Sequence, residues 1–381
     1  MNVSRYIDTV ELKFDVEFVT PCFLGGADGD AEIRVAPFKN LLRRWWRIAN
    51  GNLSPEELWK KESRLFGSTE KDPDIVEENK RLPKEKRKPE IFGKSRVELK
   101  IYDATKCNIV NITDNPQIRF PDETISHPEV DKPMGFETYL GMGPVFGKEY
   151  KKNYIYENSR ISLSLKMPNL KDDVFYILKT LTLINLFGSI GSRSRNGWGS
   201  VLIKGISINN KNAALLPLDR IYGDMQDWRQ AFANDETREY PFYLGKDKNG
   251  ILCWESIEDF SHWSDAMHFL ADAYMHVRTH FKFSEKNRLE KRHLLGYPVT
   301  HHNVKDWERL PSQLLLKVIK INPRKYKAQI FHLPSAIPLG WDKVSAGSGQ
   351  LGIWKEVHEF LDSYSDSNGG KNLIRFGGTA K

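Results

Sequence analysis

The sequence predicts an α+β protein: two tandem ferredoxin-like (RRM-like, split βαβ) units with long insertions. Three observations predict it. The chain opens with a strand of strict alternation. Two helical segments in its first half are each set between strand patterns. The second half carries a helix, a hairpin, a helix and a short strand. A length of 381 residues fits two domains of ordinary size, with boundaries expected at 1–212 and 213–381.

Residues Val10–Val19 place Leu12, Phe14, Val16 and Phe18 on one side and Glu11, Lys13, Asp15 and Glu17 on the other, the period-two signature of a half-buried strand. A glycine-broken loop, Thr20–Ala36, leads to Pro37, which suits the first turn of a helix because its missing N–H costs nothing there. In that helix Phe38, Leu41, Leu42, Trp45 and Ala49 share a face. The stretch 69–94 is dominated by charge and proline and is expected to be an exposed, disordered insertion. A strand resumes at Arg96–Tyr102, and 107–158 reads as an irregular excursion. Arg160–Lys166 alternates again. Asp172 and Asp173 are placed to cap the apolar helix Val174–Phe187, and Gly188 to stop it. Val201–Ile208 is the last strand of this unit.

The second unit begins near Ala213. Its helix falls at Ile257–Phe281, its hairpin at Gln313–Ile321 and Tyr326–Leu333 around a turn at Asn322–Pro323, and its second helix at Ile353–Tyr364. A short apolar segment, Leu373–Phe376, follows. The pattern is completed by a first strand expected near Tyr240–Leu244.

The net charge of +7 and a pI near 9.0 favour a polyanionic partner. Three distant cysteines, Cys22, Cys107 and Cys253, make no CxxC pair, so neither a disulfide framework nor a zinc ribbon is expected. No run of ~18 apolar residues occurs, which argues against a membrane span. The first residues lack the apolar core of a signal peptide, and a cytoplasmic location is expected.

Four groups of residues could carry chemistry. The segment Gly188–Ser200 holds Gly191, Ser192, Arg193, Arg195, Asn196, Gly197 and Trp198. Glycines permit positive φ and close approach of a ligand, exposed N–H groups can form an anion nest, arginines fork onto phosphate oxygens, and a tryptophan offers a stacking face. The segment ends without Gly-Lys-Ser/Thr and is no Walker A loop. On the helix Phe38–Asn50, Lys39, Arg43 and Arg47 recur about one turn apart and can follow a phosphate backbone without reading bases; Arg44 lies beside them. Asp28, Asp30 and Glu32 form an acidic loop lacking the glycine and terminal glutamate of an EF-hand; pairing with nearby arginines is its plainer reading. His276 and His280 stand four apart with Asp272 a turn earlier, without the glutamate of an HExxH site. No metal or cofactor site is expected.

Together these motifs resemble a known family. The glycine-rich segment after a core helix is similar to the signature of the RAMP superfamily of CRISPR systems. The run Thr20-Pro21, Gly25-Gly26-Ala27-Asp28, Pro37-Phe38-Lys39-Asn40-Leu41-Leu42-Arg43-Arg44-Trp45-Trp46-Arg47 and then Leu65-Phe66-Gly67-Ser68 resembles, more narrowly, the family of the first subunit of the type III-B (Cmr) effector complex. Asn40 departs from it, where that family usually has glycine. The resemblance implies two ferredoxin-like domains and a non-catalytic RNA-binding subunit. Its implied partners are CRISPR RNA near the 3′ end, target RNA and the other Cmr subunits, with no membrane. The implied RNA-binding residues are Gly25, Gly26, Lys39, Arg43, Arg44, Arg47 and the glycine-rich segment. The rival expectation is a metal-independent endoribonuclease on the same scaffold, using Asp28 or a histidine to orient a 2′-OH.

Overall fold

The computed structural model describes residues 8–26, 30–114, 124–147, 149–222, 225–232, 243–285, 288–304, 307–336, 349–365 and 372–377. Its first unit is built from strand β1 (Thr9–Phe18), helices α1 (Val35–Ala49) and α2 (Pro55–Phe66), strands β2 (Glu98–Asp103) and β3 (Arg160–Pro168), helix α3 (Lys171–Phe187) and strand β4 (Val201–Ile208). The sheet order is β4-β1-β3-β2, with the short strand Lys211–Asn212 on the outside of β4. Every pairing in it is antiparallel. The alternation of β1 works as expected. Val10, Leu12, Phe14, Val16 and Phe18 are buried in one cluster with Leu41, Leu42 and Trp45 of α1. On the opposite face, Ser162 Oγ donates to Asp15 and Ser164 Oγ to Glu11.

The second unit comprises β5 (Cys253–Ser256), α4 (Trp263–His280), β6 (Leu314–Asn322), β7 (Lys325–His332), α5 (Gly349–Asp362) and β8 (Leu373–Arg375). Its sheet runs β6-β7-β5-β8. Numbering each unit's four principal strands in chain order, both sheets read 4-1-3-2. The hairpin β6–β7 turns at Pro323–Arg324, with Asn322 opposite Lys325.

Three expectations are corrected. The first strand of the second unit is Cys253–Ser256 rather than a segment near Tyr240–Leu244; Tyr240 to Phe242 lie outside the described residues, and Tyr243 and Leu244 are in no strand. The charged stretch 69–94 is folded: it holds the helix Pro73–Lys80 and a small hairpin of Ser68–Lys71 with Ile91–Gly93. Its charges are paired, Lys88 with Glu78 inside the stretch and Asp72 and Asp74 with Arg64 of α2, while the Asn79 side chain bonds both backbone groups of Lys88. Helix α3 begins earlier than expected, so Asp172 and Asp173 lie in its first turn, and the N-cap Leu170 makes no side-chain bond. Their carboxylates still favour the positive end of the helix.

The units share their cores. Phe331 of β7 packs on Trp45 and Phe187, and Phe23 and Trp198 join the cluster around Trp254 and Trp263. Among the described residues no helix is long and apolar enough to cross a membrane.

Candidate nucleic-acid interface

The N-terminal loop and the glycine-rich segment, 168 residues apart at Cys22 and Ile190, run side by side. Phe23 bridges Ser192, Ser192 N–H donates to Phe23 O at 2.9 Å and Gly199 N–H to Pro21 O at 3.0 Å. This closeness explains the glycines. Gly191 sits at φ +92°, and a Cβ there would lie 2.8 Å from Phe23 O. Gly199, at φ +64°, would bring a Cβ to 1.9 Å from Ile190 O. Gly191 and Gly199 are thus required by chain-on-chain packing.

Strand β6 of the second unit clamps the same segment from the other side. Leu316 N–H donates to Arg195 O at 2.8 Å and Val318 N–H to Ser200 Oγ at 3.1 Å. Lys317 is fully buried, its Nζ within hydrogen-bond distance of Ile184, Asn185, Gly188 and Val201 carbonyls at 2.8–3.2 Å. These carbonyls belong to the end of α3 and to the two roots of the segment, where helix and turn concentrate negative partial charge. Burial holds the Lys317 ammonium well below its ordinary range.

The site residues therefore separate. Trp198 is wholly buried against Phe23, Tyr150 and Trp263; it offers no face to a base, which corrects the stacking expectation. Arg195 donates to Ser312 O, and its neighbour Asn196 donates to Leu140 O at 2.8 Å. Gly197 O accepts from Thr20 and Ser200 hydroxyls. These three tie the protein together. Arg193, at φ +59°, and the exposed Ser192 remain at the surface; burial and then Arg309 lower the Arg193 pKa.

The cationic stripe of α1 is partly neutralised. Glu62 of α2 receives Arg43 Nε at 2.9 Å and Arg47 Nε and Nη2 at 2.7 Å each, so two of the four basic residues of α1 share one buried carboxylate. Glu62 escaped the sequence reading because it lies on another helix. Lys39 is half-buried, and burial followed by Arg43 lowers its pKa.

Arg44 faces elsewhere. It lines a cavity of about 640 Å³ together with Gly25, Gly26, Arg34, Lys152 and Ser192. The walls come from the N-terminal loop, the first turns of α1 and the glycine-rich segment, so both sequence motifs meet here. Among the described residues no carboxylate lines it; Asp30 accepts from Asn153 and Glu32 lies beside Gly26. Arg34 donates to Gly25 O at 2.8 Å, and Gly26 N–H to Asp30 O at 2.7 Å. Arg34 and Lys152 are cavity residues that carried no motif; only their positive charge could have marked them.

The two catalytic candidates are placed differently. Asp28 lies outside the described residues. His276 Nδ1 lies 3.4 Å from Asp272 Oδ2, whose carboxylate also accepts from Tyr364 Oη. His280 meets Glu356 at 3.2 Å. Among the described residues no three His, Cys, Asp or Glu side chains are grouped to hold a metal.

The model of the RAMP superfamily matches residues 15–202, the span that contains β1, α1, α3 and the glycine-rich segment. This stretch resembles the RAMP superfamily. No curated protein matches the chain. Among solved structures, Cmr1 from Pyrococcus furiosus in its apo form is similar at 14% identity and TM-score 0.45, over 86% of this chain and 89% of that one. A chain of the type III-B Cmr-beta complex bound to cognate target RNA is similar at 11% identity and TM-score 0.46, over 92% and 100%. Cmr6 from Pyrococcus furiosus is similar at 11% identity and TM-score 0.25, over 53% and 99%.

Proposed function

We propose that this RAMP-like chain is a non-catalytic RNA-binding subunit of a type III-B CRISPR ribonucleoprotein. In this reading it contacts CRISPR RNA near the 3′ end and helps engage target RNA. Its two units, each with strands in the order 4-1-3-2, are read as tandem ferredoxin-like domains. The observation that carries the proposal is the cavity in which the two RAMP-like motifs meet. Arg34, Arg44 and Lys152 line it, and no ion pair engages them among the described residues. A groove of this kind holds phosphates without reading bases. The net charge of +7 supports a polyanion as the occupant.

The test is fluorescence anisotropy of a labelled single-stranded RNA between low and moderate salt. Three phosphate contacts predict log K falling with log salt at a slope of about −2, roughly −0.7 per contact. Lys152→Gln reduces the slope by about one contact, whereas Arg43→Gln changes it less, because Arg43 is already paired with Glu62. Equal effects of the two substitutions, or no RNA binding at low salt, would refute the assignment.

A further inference from the structure

The α1 end of the cavity has the makings of a defined anion seat. The N-cap residue of α1, Arg34, makes no side-chain capping bond, and the first turn of the helix holds no acid. With Pro37 lacking an N–H, the N–H groups of Val35 and Ala36 and the positive pole of the helix are left without a side-chain cap and can serve an anion. Independently, Nη2 of Arg44 is buried with no hydrogen-bond partner, although the side chain lines the cavity. Buried guanidinium groups are ordinarily paired. Burial first, and the like charge of Arg195 second, bring the Arg44 pKa down to about 10. An uncapped helix start, an unpartnered guanidinium and a like-charged neighbour make a vacancy for negative charge that the described residues do not fill.

We infer that this end of the cavity seats one phosphate group of the bound strand, held by Arg44 and the first turn of α1, with Lys152 and Arg34 at its mouth. The inference rests on the RNA-binding reading and deepens it. One phosphate becomes a fixed anchor, and the remainder of the strand is held by diffuse charge. Arg44 rather than the more visible stripe of Lys39, Arg43 and Arg47 is then the α1 side chain that contributes most to binding. Asn40 lies on the same wall, so its amide is placed to add a neutral donor.

The experiment uses the full chain and two probes. Inorganic phosphate, titrated at constant ionic strength against chloride, raises the melting temperature of the wild type if the seat exists; Arg44→Gln abolishes the rise. Eight-nucleotide oligouridines bearing a 3′-hydroxyl, a 3′-phosphate or a 5′-phosphate are then compared by anisotropy. Loss of a charge-assisted contact lowers affinity roughly tenfold in Arg44→Gln. A several-fold preference for one phosphorylated end assigns the seat to a terminal group; equal affinities assign it to an internal phosphodiester. Should Arg44→Gln fold poorly, Asn40→Asp serves instead, since Asn40 is exposed and a carboxylate there repels the phosphate. Wild-type protein that binds RNA but is no more stable in phosphate than in chloride overturns the seat and leaves the RNA-binding reading standing. Phosphate stabilisation without RNA binding overturns that reading, and with it the assignment of the seat to RNA.

Discussion

Replacing Lys317 with methionine keeps the length and most of the volume of the side chain while removing its charge and its hydrogen bonds. Four carbonyls lose a donor. Two of them keep another: Ile184 O accepts from Gly188 N–H at 2.7 Å, and Gly188 O from Val201 N–H at 3.3 Å. The loss falls mainly on Asn185 O and Val201 O. At about 1–3 kcal/mol for each buried acceptor left short, the direct cost is about 2–6 kcal/mol. Relief from burying an ammonium offsets part of it, leaving an expected destabilisation of about 2–4 kcal/mol. Urea unfolding followed by tryptophan fluorescence measures this as a lower midpoint at unchanged slope. Because the lysine spans the two roots of the glycine-rich segment, the same substitution weakens RNA binding under conditions where the protein stays folded. A variant as stable as the wild type would refute the assignment of Lys317 as a structural clamp.

Other consequences are equally open to measurement. His332 and His358 form a buried pair, Nδ1 to Nε2 at 2.9 Å. Burial, then His358, depresses the His332 pKa, while burial and Arg375 bring that of His358 down to about 3 against the opposing pull of Asp362. The unfolded chain binds these protons below about pH 6.5 and the folded one resists them, so stability falls as pH drops from there toward 3. Each site contributes up to about 1.4 kcal/mol per pH unit. Urea titrations across that window should show His358→Gln losing about one site's slope; an unchanged slope contradicts the pairing. Trp198→Phe should retain RNA affinity and Trp198→Ala should lose about 3–5 kcal/mol of stability. A Phe variant that is stable yet fails to bind RNA would reinstate Trp198 as a contact. Gly199→Ala and Gly143→Ala both place a side chain at positive φ, but only the first meets a carbonyl, 1.9 Å against a nearest atom at 3.9 Å; thermal melts should show the first far more damaging.

What could be read from the sequence was whatever depends on period and punctuation. Strand β1, helix α1, the β6–β7 hairpin and the glycine-rich segment follow from alternation, a helical apolar face, Asn322–Pro323 and a cluster of glycines. Roles that depend on long-range partners could not be read. Trp198 among small polar residues has the look of an exposed ring until Phe23, Tyr150 and Trp263 close over it. Arg43 and Arg47 count as free cations until Glu62 arrives from α2. The stretch 69–94 has the composition of disorder, yet Lys88 pairs with Glu78 inside it and Arg64 of α2 holds Asp72 once the fold brings them together. Lys317 did leave a trace, as a single charge in the apolar run Leu314–Ile319. Its position two residues from Leu315, whose side chain joins the core of the first unit, names the face on which to seek its acceptors. Arg34 and Lys152 belong to no pattern, and only folding brings them to one cavity.

The clamp of β6 on the glycine-rich segment also orders events in time. The bond from Lys317 to Val201 spans 116 residues, so the segment leaves the ribosome well before its clamp is made. At ~5–20 residues per second, the interval lasts roughly 6–23 s. Until β6 and β7 follow, the segment lacks the hydrogen bonds from Leu316 and Lys317, and Trp45 and Phe187 lack Phe331. The clamped geometry of the segment therefore waits for β6, and so, under the proposed function, does any binding that depends on it. The distance along the chain sets a delay between the making of the segment and its clamping.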